Sequence, residues 1–185
     1  MSKANILIAA ALVAWISPFE WANGRGDCGS ERWSVKTLMD RDRHKVSFTP
    51  ISTTVRQLAE LPIPEIPYPD DGRIAPNEFT TYRAHAFLVE IRHEKDQDLH
   101  LILADPANSH ATIVAEVPAP QCARGSGHEE EFRTARALLS SFSLPAMVEV
   151  TGVGFWDYIH PSAVRGAAKN GFELHPVLRI ETVRQ

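Results

Sequence analysis

The sequence predicts a mainly β domain with one helix (α+β): an OB-fold-like five-stranded barrel behind an irregular N-terminal arm. Three observations predict it. From residue 81 onward the chain breaks into five stretches with strand patterning. One helical stretch falls between the third and fourth of them, the place where an OB barrel carries its helix. Gly152 and Gly154 sit inside the fourth stretch, where a tightly coiled barrel strand has to bend.

The elements follow in order. Thr81 to Ile91 is dense in β-branched, aromatic and aliphatic residues, and a charged turn from His93 to Gln97 ends it. Asp98 to Ala104 alternates, with Leu99, Leu101 and Leu103 on one face and Asp98, His100 and Ile102 on the other. Asp105-Pro106-Ala107-Asn108 is a turn. Ala111 to Val117 sets Ile113, Ala115 and Val117 opposite Thr112, Val114 and Glu116, and Pro118 and Pro120 close it. Ser126-Gly127-His128-Glu129 has the form of a capping box, and Glu129, Glu130 and Glu131 suit the positive end of a helix. Phe132, Ala135, Leu139 and Phe142 then fall near helical spacing, and Pro145 stops the helix. Met147 to Tyr158 and Phe172 to Val183 are the last two strands, with a loop from His160 to Gly171 between them.

The chain before the barrel divides into two parts. Lys3 precedes an apolar run from Ile6 to Ile16, and Ser17-Pro18 follows. That run is shorter than the roughly 20 residues of a membrane span and reads as a secretory signal. The expected domains are therefore a signal peptide at 1–22, an irregular Pro-rich arm at 23–80 and the barrel at 81–185. Thr53 and Thr54 mark a short helix from Val55 to Leu61, with Thr as N-cap. Pro62, Pro64, Pro67 and Pro69 then enforce extended chain. A secreted or periplasmic location follows, with no stable membrane association after signal removal. An oxidising compartment favours a disulfide between Cys28 and Cys122, the two cysteines present.

Nineteen basic residues against 23 acidic ones give a net charge of −4, which argues against a strongly basic nucleic-acid binder. The alternation nonetheless gathers chemistry. If the leucines face the core, Asp98 and His100 face out, as does Glu116; Leu174 and Leu178 point in, so Glu173 and His175 point out. In an OB barrel the third strand lies between the second and fifth, so these groups share one exterior wall. Imidazoles beside carboxylates can hold a divalent metal of unspecified identity, with Glu116, Asp98, His100 and His175 as ligands. They can also transfer protons, with His100, His175 and Glu173 as catalytic groups. Asp105 and Asp157, at strand ends, could add oxygens. A second cluster surrounds the last loop: Arg165 and Lys169 for an anionic group, Trp156 and Tyr158 for stacking, and Asn170 in an Asn-Gly turn able to take positive φ.

The blocks ERWSVKT (31–37), DLHLILAD (98–105), VTGVGFWDYIHP (150–161) and NGFELHPV (170–177) resemble those of a secreted bacterial family that carries similar blocks, in the same order, behind a signal sequence. The resemblance covers most of the chain after the signal and implies export and a single domain. That family usually reads HGQxGxAxNG in the last loop; here 160–171 is longer and lacks the glutamine. The sequence-level expectation of function is a secreted, metal-assisted hydrolase acting on phosphodiester bonds, with nucleic acid or another anion as substrate. The alternative is a non-catalytic OB-type module binding an oligonucleotide or oligosaccharide. No protein partner is predicted.

Overall fold

The structure is a computed structural model, and it describes residues 28–159 and 166–183. The expected signal peptide at 1–22, together with His160 and Arg165, lies outside the described residues.

Six strands form one sheet: β1 (Ser47–Thr54), β2 (Thr80–His93), β3 (Leu99–Ala104), β4 (Thr112–Val117), β5 (Ala146–Trp156) and β6 (Phe172–Thr182). Three helices accompany them: α1 (Trp33–Lys36), α2 (Val55–Ala59) and α3 (Glu129–Leu139). The order β2-β3-β4-β6-β5 closes on itself through a β2–β5 pairing, giving a five-stranded barrel. β4 and β6 run parallel, the other barrel pairs antiparallel, and α3 bridges β4 to β5. This is OB connectivity. Closure depends on the length of β2, whose first half pairs with β5 (Thr81 to Leu88) and whose second half pairs with β3 (Phe87 to His93).

The leucine parity holds except at Leu178, which is only partly buried where the β5–β6 register shifts between Thr151 and Gly152. Leu99, Leu101, Leu103, Ile113, Ala115, Val117 and Leu174 are all buried in one core with Val148, Val150 and Ile180. Phe132, Ala135 and Leu139 of α3 join the same core, while Phe142 packs against it beyond the helix end. Gly154 allows the closest approach of the wall: a Cβ there would collide with the Asn77 carbonyl oxygen and sit 2.9 Å from the rings of Phe172 and Tyr82. Gly171 supplies the expected left-handed turn, with φ of +71° ahead of β6.

Two local expectations change. The segment before the barrel is more ordered than its proline content suggests, since β1 adds a sixth strand, parallel to β2, and Trp33–Lys36 forms α1 within the arm expected to be irregular. The capping box at 126–129 does not form. His128 is the N-cap without a side-chain cap; the Ser126 Oγ accepts from the His128 amide at 3.0 Å and Glu129 accepts from the Gly125 amide at 2.7 Å. Those side chains shape the preceding turn instead. A full capping box appears at α2, where Thr54 and Gln57 cap each other reciprocally.

Two buried ion pairs tie the N-terminal segment to residues 73–78, and Arg32 and Glu78 both bond to the Trp156 backbone of β5. Arg32 uses all five of its N–H groups. They reach both Glu78 oxygens (2.7 and 2.8 Å) and the carbonyls of Pro69, Gly72 and Trp156. Glu78 fills its remaining acceptor sites with the amides of Ile74 and Trp156. Arg73 grips Asp40 at 2.7 Å and donates to the Val35 and Glu78 carbonyls. The expected disulfide between Cys28 and Cys122 is present, with Cα atoms 5.6 Å apart and a sequence separation of 94. Replacing both cysteines by serine is expected to lower unfolding free energy by about 2–5 kcal/mol, read from urea denaturation of the two proteins. A loss below about 0.5 kcal/mol would mean the ion pairs alone fix the segment.

Candidate acid–imidazole site beneath the N-terminal segment

β3, β4 and β6 lie side by side and place the predicted groups on one wall. His100 and Glu116 are direct cross-strand partners. Glu173 pairs with Val114, so its parity matches that of Glu116 on the neighbouring parallel strand. His100 Nδ1 lies 3.1 Å from Glu116 Oε1, and His175 Nδ1 lies 3.3 Å from Glu116 Oε2. On its other side His175 Nε2 faces Asp98 Oδ2 at 3.4 Å. The order through space is Asp98, His175, Glu116, His100, with Glu94 a further 3.8 Å from His100. The geometric expectation of one shared patch is met.

Its exposure is not as expected. The sequence places these groups on an open exterior wall, but Asp98, His100, Glu116, Glu173 and His175 are all buried. They point away from the leucine core, and the segment carrying Trp33 and Lys36 covers them. The two ion pairs described above hold that cover in place.

Beneath it lies a cavity of about 820 Å³. Six carboxyl side chains line it (Glu31, Glu94, Asp96, Glu116, Asp157 and Glu173) against three lysines, Lys36, Lys95 and Lys169. His100, Trp33 and Tyr158 complete the functional part of the lining. Asp98 and His175 are not among the residues that line it. Among the described residues, three buried polar atoms of the lining have no hydrogen-bond partner: Asp157 Oδ1, His100 Nε2 and Glu173 Oε2. The first has the Lys36 ammonium 3.8 Å away. Orphans of this kind are uncommon in a folded chain and call for a partner from outside it, a water, an ion or a ligand.

The charges are uneven. Burial pushes Glu116 up, but His175, the His100 contact and Lys36 outweigh it and hold the carboxyl down at about 2. Glu173 goes the other way: burial first, then Glu116 and Asp157, raise it well above the usual carboxylate range, against the pull of Lys36. Burial raises Asp98 as well, opposed by His175. For Lys36 burial works downward, but Asp157, 3.8 Å away, with Glu116, Glu173 and Glu31, raises it on balance. Burial and neighbouring charge therefore favour the ionised form of one carboxyl and the protonated form of a near neighbour, the separation from which acid and base roles are read.

Asp98, Glu116 and His175 each offer a ligand atom, all within 4.8 Å of one another, and this buried group could hold a metal ion. The donor types fit a divalent cation, and Asp98 Oδ2 and both His175 ring nitrogens have no well-aligned hydrogen bond. His100, expected as a ligand, is not part of that group; it meets Glu116 instead.

The other expected residues divide. Lys169 and Tyr158 line the cavity. Trp156 does not. It is 1% exposed, packed edge-on against Phe172 at 4.9 Å, and has no free face for stacking. Asn170 is buried too, and its amide donates to the Leu58 and Leu61 carbonyls while its oxygen accepts from the Phe172 amide. It builds the turn rather than a contact surface. Asp105 is occupied by the amides of Arg56, Ala107 and Asn108. Sequence reasoning missed Trp33 and Lys36, which sit three apart in ERWSVKT and so share a side of one helical turn. That spacing, with an arginine inside the same block, was the available signal.

Fold and site together define a closed OB-type barrel with a covered pocket of carboxylates and imidazole. No family model and no curated protein matches the chain. Among solved structures it is similar to one described as an OBody bound to hen egg-white lysozyme, at 10% identity and a TM-score of 0.41, covering 57% of this chain and 83% of that one.

Proposed function

We propose that the protein is a hydrolase whose proton transfers are made by His100 and Glu173. The observation that carries this reading is the pair of buried, unpartnered atoms, His100 Nε2 and Glu173 Oε2, on residues of one cavity wall. Glu116 orients His100 through Nδ1, which leaves Nε2 as the atom that takes a proton from water. Glu173, kept protonated by burial, gives its proton to the leaving group. His175 and Asp98 act through Glu116 and position it.

A divalent cation held by Asp98, Glu116 and His175 would supply Lewis-acid chemistry and fix Glu116. In the sequence, Arg165 and Lys169 favour the phosphodiester class; Lys169 and Lys36 at the cavity keep it among the substrates to be tested. Export is part of the same proposal. The disulfide supports it, and among the described residues no helix is long and apolar enough to cross a membrane.

The test is turnover on chromogenic diesters, esters and glycosides, with and without Mg²⁺, Mn²⁺ or Zn²⁺. His100→Ala is expected to lower kcat by about 10²–10⁴-fold on whichever substrate is cleaved, without shifting the urea midpoint by a comparable amount. Absence of any turnover that the substitution abolishes would remove the hydrolase reading. Saturable binding without turnover would favour the non-catalytic module.

A further inference from the structure

We infer that the cavity takes an uncharged, hydroxyl-rich chain, a glycan, in preference to a nucleic acid. This deepens the hydrolase reading, since it names the substrate class of the same pocket.

Charge is the first argument. Among the described residues, carboxyl side chains outnumber lysines six to three around the cavity, and Asp157 already engages Lys36 at 3.8 Å. A polyanion entering this lining meets an excess of carboxyl groups, and the cationic side chains among its described residues are lysines. A neutral chain meets no charge repulsion.

The orphan atoms are the second. His100 Nε2 and Glu173 Oε2 are unpartnered on side chains of residues that are 5% and 6% exposed. A sugar hydroxyl both donates and accepts, so it satisfies either atom whichever of them carries a proton. Phosphate oxygens only accept.

The third is a pair of fixed aromatic rings. Trp33 is tied by its Nε1 to the Cys122 carbonyl at 3.2 Å and packs so tightly on Gly29 that a Cβ there would overlap the ring. Tyr158 stacks on Tyr68 at 5.0 Å. Rings already immobilised give contact area at little entropic cost. Tyr158 and Ile159 also wall a second cavity of about 600 Å³, lined by Ile63, Ile66 and Tyr68. Two cavities sharing a wall suit a chain of several units more than a single small molecule. In turnover, the bond from the anomeric carbon to the leaving oxygen breaks, the oxygen of water takes its place, and the leaving oxygen receives a proton.

The experiment is calorimetric titration of the full chain carrying Glu173→Gln, in which turnover is suppressed. The probes are neutral β-1,4-linked hexasaccharides of glucose and of N-acetylglucosamine, a uronic-acid hexamer and a single-stranded DNA hexamer. Binding of at least one neutral hexasaccharide more than about tenfold tighter than the DNA is expected. Tyr158→Leu and Trp33→Ala, each checked for a retained unfolding transition, are expected to weaken it on the order of tenfold. Tighter binding of the DNA or the uronic acid, or indifference to both aromatic substitutions, or no binding of any neutral probe, overturns the inference. Turnover by the unsubstituted chain separates the two readings. A glycan bound but never cleaved leaves this inference standing and the hydrolase reading fallen, whereas a cleaved diester with no glycan bound does the reverse.

Discussion

Arg32→Ala is expected to lower unfolding free energy by about 3–5 kcal/mol, one of the two largest effects in this chain. The size follows from what is left behind rather than from what is removed. Glu78 has a fully buried side chain, and Arg32 is the cation that neutralises it. With the guanidinium gone, a carboxylate remains inside the protein and the carbonyls of Pro69, Gly72 and Trp156 lose a donor. Arg32 also stacks on Phe155, its Cζ 4.8 Å from the ring centre, so packing is lost with the charge. The substitution Arg32→Lys is not conservative here, because an ammonium offers three donors where the site uses five. Urea denaturation measures the effect. A double variant, Arg32→Met with Glu78→Leu, is expected to recover much of the loss, since no charge is then stranded. If Arg32→Ala costs less than about 1 kcal/mol, the covering segment is not integral to the folded domain and the buried site would be open in solution.

That contact also shows where sequence reading stops. The barrel was legible because closure is written in short-range patterns: alternating leucines, a helix in the third connection, glycines where the wall bends. The same parity located His100, Glu116, Glu173 and His175 on one wall, because period two leaves no other choice once the core face is known. Parity says nothing about what covers the outer face. The cover depends on Arg32 meeting Glu78 across 46 residues and Trp156 across 124, and no local pattern encodes such partners. Trp156 and Asn170 were misplaced for a related reason. An aromatic at a strand end and an Asn before Gly look alike whether they face a ligand or the core. Only the tertiary neighbours, Phe172 for one and the carbonyls of Leu58 and Leu61 for the other, decide it.

Glu173→Gln is expected to stabilise the protein at neutral pH and to abolish turnover, a combination that a purely structural carboxyl would not produce. In the folded chain Glu173 keeps its proton well above the ordinary value of 4.5, chiefly because burial penalises the charged form. The unfolded chain releases that proton near 4.5. As pH rises above that value the unfolded state is therefore favoured, by about 1.4 kcal/mol per unit, until the folded-state pKa is reached. Glutamine has nothing to release, so the variant escapes this loss. Its advantage should be near zero around pH 4.5 and exceed about 1 kcal/mol near pH 7, measured by urea denaturation at both. Glu116 acts in the opposite sense: held down at about 2, it stabilises the fold above 4.5 and that contribution fades as pH falls toward 2. Taken by themselves, these two contributions are most favourable near 4.5. A chain that keeps a carboxyl in a site where an amide is more stable retains it for what the proton does, the usual relation between stability and activity at a reacting centre. A stability difference between the unsubstituted chain and the Glu173→Gln variant that stays at zero across this pH range, or full turnover in the variant, would leave His100 without its acid partner.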